Sequence, residues 1–204
     1  MIAIIDYGSG NIAAVANIYK HLKIPYVVTS IPDELHQADR FILPGVGAFD
    51  STMRCLNDSG MTAVLNEQVI GQGKKVMGIC VGMQILAEFS EEGQLAGLGW
   101  IPGGVRKIDS SLLSSGPKLP HMGWNSITLK GNSCLFKNVD VEHGFYFLHN
   151  YYFDATDPKD VLATVQYPVE IPCAVARANV FGMQFHPEKS HSNGMAVFQN
   201  FAEI

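Results

Sequence analysis

The order of apolar and polar positions divides this chain into two halves of different style. In the first, short apolar runs alternate with segments of helical period. Ile2 to Asp6, Tyr26 to Thr29, Arg40 to Leu43 and Lys75 to Ile79 are predicted strands, and Asn11 to Leu22, Ser59 to Gln72 and Met83 to Phe89 are predicted helices. Such alternation over about 90 residues implies a parallel sheet covered by helices on both faces. In the second half, Gly104 to Ile108, Ser126 to Leu129, Phe145 to Phe153, Leu162 to Gln166, Cys173 to Ala178 and Phe181 to Phe185 are strand candidates with few helices between them. They are expected to extend the same sheet in antiparallel fashion. A helix from Gly194 to Phe201 closes the chain, and the serine-rich Asp109 to Pro117 reads as one exposed loop. The expected fold class is α/β: an open, doubly wound, mostly parallel sheet with antiparallel additions, in a single domain over residues 1–204.

Composition narrows the class. With 204 residues, 47% of them hydrophobic, the chain can bury one full core, and two independent catalytic domains are not expected. No apolar run approaches the roughly 18 residues needed to span a bilayer. Ile2-Ala3-Ile4-Ile5 follows the first methionine directly, without the pattern of a secretory signal, so a soluble, cytoplasmic protein is predicted. A net charge of -5 without a strongly basic segment argues against a surface that neutralises nucleic-acid phosphates, and leaves small molecules or proteins as partners. Cys55, Cys80, Cys134 and Cys173 form no C-x-x-C pair. His21, His36, His121, His143, His149 and His191 lack the helical spacings of zinc sites, so no metal is expected.

The segment Lys75-Val76-Met77-Gly78-Ile79-Cys80-Val81-Gly82-Met83-Gln84 places a cysteine between a buried strand and a helix, with glycines two residues before and after. This is the pattern G-x-nucleophile-x-G, in which small flanking residues relieve a crowded, strained turn. A thiol at a helix start is favoured as thiolate, and the next N–H faces any oxyanion formed on its target. The competing reading is a buried cysteine beside two packing glycines; Cys55, Cys134 and Cys173 lack such a setting and read as structural. Near the other end, the strand Phe181 to Phe185 runs into His186-Pro187-Glu188. Proline keeps His186 extended, so His186 and Glu188 are predicted to share a side, the carboxylate orienting the imidazole. Alone, this would be a surface turn; together with a cysteine elbow it suggests a base and its orienter. The glycine-rich turn Pro44-Gly45-Val46-Gly47 ends the third strand at the same sheet edge and offers a second oxyanion donor, or is an ordinary strand-to-helix turn. Gly8-Ser9-Gly10-Asn11-Ile12-Ala13 formally fits a dinucleotide loop with Asp33 or Glu34 downstream, but by itself the match is weak, and no cofactor is expected.

The elbow cysteine, the Pro-Gly-Val-Gly turn and the His-Pro-Glu segment together resemble the class I glutamine amidotransferases over essentially the whole chain. The resemblance implies their flavodoxin-like fold and a reaction in which Cys80 attacks the side-chain amide of glutamine, with His186 as acid/base and Glu188 as orienter. It further implies an oxyanion hole from Val81 and the Gly45, Val46, Gly47 turn, and a substrate contact at Gln84. Asp6-Tyr7-Gly8-Ser9-Gly10-Asn11, Pro120-His121-Met122-Gly123-Trp124-Asn125, Tyr146-Phe147-Leu148-His149-Asn150-Tyr151-Tyr152 and Glu188-Lys189-Ser190 are similar to the glutaminase subunits of imidazole glycerol phosphate synthases, from histidine biosynthesis. That resemblance implies glutamine contacts at His149, Asn150 and Tyr151. It also implies a heterodimer with a separate (β/α)8-barrel cyclase that receives the ammonia, with Asn11, Trp124, Tyr146 and Lys189 as interface or gate. The chain departs from the family pattern at His191-Ser192-Asn193, and Asn150 stands where a small hydroxyl residue is expected. Open alternatives are a paralogous glutaminase serving another synthase, such as a surface-sugar amidotransferase, a stand-alone cysteine hydrolase on the same fold, and a non-catalytic binding module.

Overall fold

The computed structural model describes residues 1–112 and 118–204, so most of the predicted serine-rich loop, residues 113–117, lies outside the described residues. The first half contains strands β1 (Ile2–Ile5), β2 (Tyr26–Thr29), β3 (Arg40–Gly45) and β4 (Lys75–Cys80), and helices α1 (Ile12–Leu22), α2 (Phe49–Asp58), α3 (Met61–Leu65) and α4 (Val81–Gln84). The second half contains β5 (Phe89–Ser90), β6 (Gly103–Lys107), β7 (His121–Asn125), β8 (Thr128–Leu129), β9 (Phe145–His149), β10 (Tyr151–Ala155), β11 (Val161–Gln166), β12 (Glu170–Arg177), β13 (Val180–Met183) and the closing helix α5 (His191–Glu203).

The main sheet has the order β2-β1-β3-β4-β13-β12-β11-β8, and β2, β1, β3, β4 and β13 run parallel. Every residue of β1 is buried, as strands covered on both faces must be. α1 turns Val15 and Tyr19 inward, and Tyr19 meets Phe198 of α5 edge-on with ring centroids 5.3 Å apart. Because β1, β3, β4 and β13 share one direction, the segments that follow them collect at one edge of the sheet. That edge is where open α/β sheets bind ligands.

The antiparallel additions are only partly as expected. β12, β11 and β8 extend the main sheet, whereas β10-β6-β5 and β7-β9 form two small sheets of their own. The predicted strand Phe145 to Phe153 breaks at Asn150: β9 pairs with β7, and β10 pairs with β6. β7 was not predicted, and of the predicted strand Ser126 to Leu129 only β8, Thr128–Leu129, is regular. α2 was not predicted, although Phe49, Thr52, Met53 and Leu56 are buried at helical spacing. The predicted helix Ser59 to Gln72 starts at Met61, after Gly60 at a φ of 74°, and loosens into a π-helical turn at Asn66–Gly71. The predicted helix Met83 to Phe89 is a single turn, α4, for a clear reason. The carbonyls of Ile85, Leu86, Ala87 and Glu88 accept from Leu98, Trp100, Gly99 and Gly97, so the loop after β5 takes the acceptors that a longer helix would use.

Candidate active site

Cys80 ends β4 with φ 55° and ψ -114°, a backbone conformation that costs about 1–3 kcal/mol and survives only where its surroundings enforce it. Glycines do the enforcing. A Cβ on Gly78 would lie 2.4 Å from the Gly82 carbonyl oxygen, and one on Gly82 would lie 1.9 Å from that of Leu43. The strand, the turn and α4 can close on one another only because both positions lack side chains. The Cys80 residue is 5% exposed and opens onto a cavity of about 280 Å³. Val81, as first residue of α4, keeps an N–H that no carbonyl of its own helix can take.

His186 lines the same cavity, and its Nδ1 lies 2.8 Å from Glu188 Oε1. Both side chains are almost wholly buried. The predicted pairing is present but arises differently. His186 is extended, at φ -99° and ψ 91°, yet Pro187 opens a 3-10 turn, Pro187–Lys189, that folds Glu188 back onto the ring. Proline suits that first position, where its missing N–H is not needed. Burial by itself would lower the His186 imidazole; the hydrogen bonds and charges of Cys80 and Glu188 outweigh burial and hold it up to about 10.

The Pro44-Gly45-Val46-Gly47 turn sits beside the thiol. Gly45 does not line the cavity: it packs against α4, where a Cβ would come within 2.3 Å of the Gly82 nitrogen. Val46 and Gly47 do line it. The Val46 N–H is taken by Ser9 Oγ at 3.1 Å, and the Val46 carbonyl accepts from Ser9 Oγ at 3.1 Å and from Thr52 Oγ1 at 3.5 Å. Tyr7 adds a hydrogen bond to the Pro44 carbonyl, and burial pushes its hydroxyl pKa far up. Of the turn's donors, Val46 is thus engaged elsewhere, and Gly47, at a φ of 95°, is the remaining one on the cavity.

Gln84, His149, Asn150 and Tyr151 also line the cavity. Gln84 Nε2 donates to Gln184 Oε1 at 3.0 Å and to the Tyr151 carbonyl at 3.3 Å, and Gln184 Nε2 lies 3.8 Å from Cys80 Sγ. Lys189 lines the cavity with its ammonium 5.5 Å from the Tyr146 ring. Trp124, paired with Tyr146 across β7 and β9, is partly exposed and stacks on His191 at 5.4 Å. Asn11 starts α1 without capping it, next to Gly10, which packs on Pro44. The departing His191-Ser192-Asn193 stretch therefore provides a stacking partner for Trp124, and Asn193 ties in the carbonyls of Asp140 and Gly144 at 2.7 Å.

Sequence reasoning missed Glu92, whose carboxylate accepts from the Phe49 N–H at 2.8 Å and lines the cavity. Glu91-Glu92-Gly93 reads as a surface turn, and nothing in its spacing marks it. Of the other cysteines, Cys173 is fully buried and its thiol is pushed up by burial, Cys55 is half-buried, and Cys134 is exposed. Asp33 and Glu34 lie in a 3-10 turn, Pro32–Gln37, not at the end of β2, where a ribose contact would require them.

The Glutamine amidotransferase class-I family description matches residues 3–204. The chain belongs to that family. Among individual amidotransferases, a protein of Bdellovibrio bacteriovorus named imidazole glycerol phosphate synthase subunit HisH is 52% identical over 204 residues, covering 100% of both chains. A HisH subunit of Leptospira borgpetersenii is 45% identical with the same coverage. A solved structure described as a glutamine amidotransferase superposes with a TM-score of 0.73 at 16% identity, covering 100% of each chain, which establishes the shared fold. Within the amidotransferases, this chain is of the HisH type.

Proposed function

We propose that the chain, as one glutamine amidotransferase domain over residues 1–204, hydrolyses L-glutamine to glutamate and ammonia through a thioester on Cys80. Its ammonia passes to a separate (β/α)8-barrel cyclase subunit in a heterodimer, which makes imidazole glycerol phosphate and aminoimidazole carboxamide ribotide in histidine biosynthesis. The observation that carries this reading is the strained Cys80 elbow opening onto the same cavity as the buried His186–Glu188 pair. The HisH relatives support the choice of pathway. Among the described residues no helix is long and apolar enough to cross a membrane, and a cytoplasmic location is proposed with the function.

In this scheme Cys80, as thiolate paired with protonated His186, attacks the amide carbon of glutamine; the C–N bond breaks and His186 delivers its proton to the departing nitrogen, which leaves as ammonia. His186, now neutral, takes a proton from the water that cleaves the thioester. Glu188 holds the ring and stabilises its charged form. The oxyanion is met by the N–H of Val81 and by that of Gly47 once the Val46–Gly47 peptide turns over. That peptide is held by Ser9 and Thr52, so the Gly8 to Asn11 loop is the element through which a partner would release it. Glu92 takes the substrate's ammonium group, while Asn150 and Tyr151 form the wall against its backbone. Tyr146, Trp124, Lys189 and Asn11 face the partner.

The test is a steady-state glutaminase assay with and without the cyclase and its acceptor. The isolated chain is expected to be slow, and the liganded complex faster by about 100- to 1,000-fold, the usual worth of one oxyanion donor. Equal turnover in all conditions would refute the gated scheme and favour a stand-alone hydrolase.

A further inference from the structure

One buried cluster is unused by this mechanism. His121, on β7, is wholly buried and sandwiched between Tyr167 and Phe147, with ring centroids 3.8 and 4.6 Å away and planes within 16° of parallel. Its Nδ1 lies 2.8 Å from His149 Nε2, its Nε2 lies 2.7 Å from Asn125 Nδ2, and His149 Nδ1 lies 2.8 Å from the Tyr151 carbonyl oxygen. One proton arrangement satisfies all three contacts when both rings are neutral. A carbonyl only accepts, so His149 carries its proton on Nδ1, and its Nε2 is then an acceptor. His121 must therefore donate from Nδ1, and its Nε2 accepts from the Asn125 amide. Burial is the main reason the rings stay uncharged: it lowers His121 to about 3 and His149 to about 4, each helped by a neighbouring imidazole.

The carbonyl at the end of this chain has a special place. Asn150 is where the polypeptide leaves the β7–β9 sheet for the β10–β6–β5 sheet, and Asn150 and Tyr151 are cavity wall. Tyr151 is gripped there from two sides, by His149 and by Gln84. We infer that His121, which does not line the cavity, is a positioning residue for glutamine recognition: by donating to His149 Nε2 it anchors the ring whose Nδ1–H pins the Tyr151 carbonyl, and hence the Asn150–Tyr151 wall. Without the donor, His149 Nε2 becomes a buried acceptor with no partner, the ring is no longer held from behind, and its grip on the Tyr151 carbonyl loosens. The inference rests on the glutaminase reading above.

The experiment compares His121→Phe, His121→Gln and His121→Asn in the complex with the cyclase subunit. Phe keeps the aromatic stack without a donor. Gln carries its amide too far along the side chain, and Asn places an N–H near the position of the imidazole Nδ1. Loss of a donor to a buried acceptor is expected to raise KM for glutamine by about 10- to 100-fold in the Phe and Gln variants, with a much smaller change in kcat. Asn should stay within about threefold of wild type, and synthesis from free ammonia should be unchanged throughout. Imidazole nitrogen NMR should find His149 protonated at Nδ1 throughout, with its Nε2 hydrogen-bonded in the wild type and Asn variants and shifted to the unbonded position in the Phe variant. A Phe variant with wild-type KM, an Asn variant as weak as Phe, or a parallel loss of ammonia-dependent synthesis would each overturn the inference while leaving the glutaminase reading intact. A wild-type complex inert towards glutamine would overturn both.

Discussion

His186 and His149 line one cavity and are almost equally buried, at 3% and 6% exposure, yet their imidazoles are driven in opposite directions. His149 meets only a carbonyl and another imidazole, and burial takes it down to about 4. His186 meets a thiol and a carboxylate, which overcome the same burial and carry it up to about 10. The two are also linked, because the His186 charge is one of the influences that keep His149 neutral. Partners rather than depth therefore decide the proton state of a buried histidine. The division suits the proposed chemistry: the charged ring moves protons, and the neutral ring holds the wall.

The most severe way to break this contrast is to remove the thiol. Cys80→Ala should lower glutamine-dependent turnover by about 10,000-fold or more, since no thioester can form. Synthesis from free ammonia by the complex should persist, and His186 should titrate below its wild-type value with only Glu188 left to support it. Glutamine-dependent synthesis near the wild-type rate would remove Cys80 from the mechanism. Glu188→Gln is milder: an amide still orients the ring but stabilises its charge less, and kcat should fall by about 10- to 1,000-fold. Full activity in that variant would reduce Glu188 to a buried carboxylate with no part in the reaction.

The smallest effect is on stability, and here the two regions should pull oppositely. An unfolded histidine titrates near 6.5. Folded His121 and His149 titrate below that, so the unfolded chain binds more protons in acid, and stability should fall as pH drops from about 6.5 towards their folded values. Folded His186 titrates above it, so its contribution is complete below about 6.5 and is lost as pH rises towards 10. Urea midpoints measured at several pH values should show His121→Phe flattening the acid side and Glu188→Gln flattening the alkaline side. Identical pH profiles for the two variants would contradict the assignment of opposite states.

The residues legible in the sequence were those whose chemistry is declared locally. Gly78, Cys80 and Gly82 announce a crowded turn because the clash they avoid involves backbone only a few residues away or on the adjacent strand. His186 and Glu188 lie two residues apart, so their pairing required only a turn, even though that turn is 3-10 rather than extended. Parallel strands buried on both faces show as uninterrupted apolar runs such as Ile2 to Ile5, and those gave the doubly wound sheet. Glu92, Ser9 and His121 were not legible: their partners Phe49, Val46 and His149 lie far away in the chain.

The sequence by itself therefore determined the parallel core, the crowded turn at Cys80 and the His-Pro-Glu pair, because steric and periodic constraints act over a few residues. Tertiary structure alone decided that one apolar run splits at Asn150 between two sheets and that α4 stops after one turn. It also decided that the pKa values of three buried histidines are driven in opposite directions. Each of these depends on which distant donors, acceptors and charges the fold brings within about 3 Å, and local pattern does not encode that distance.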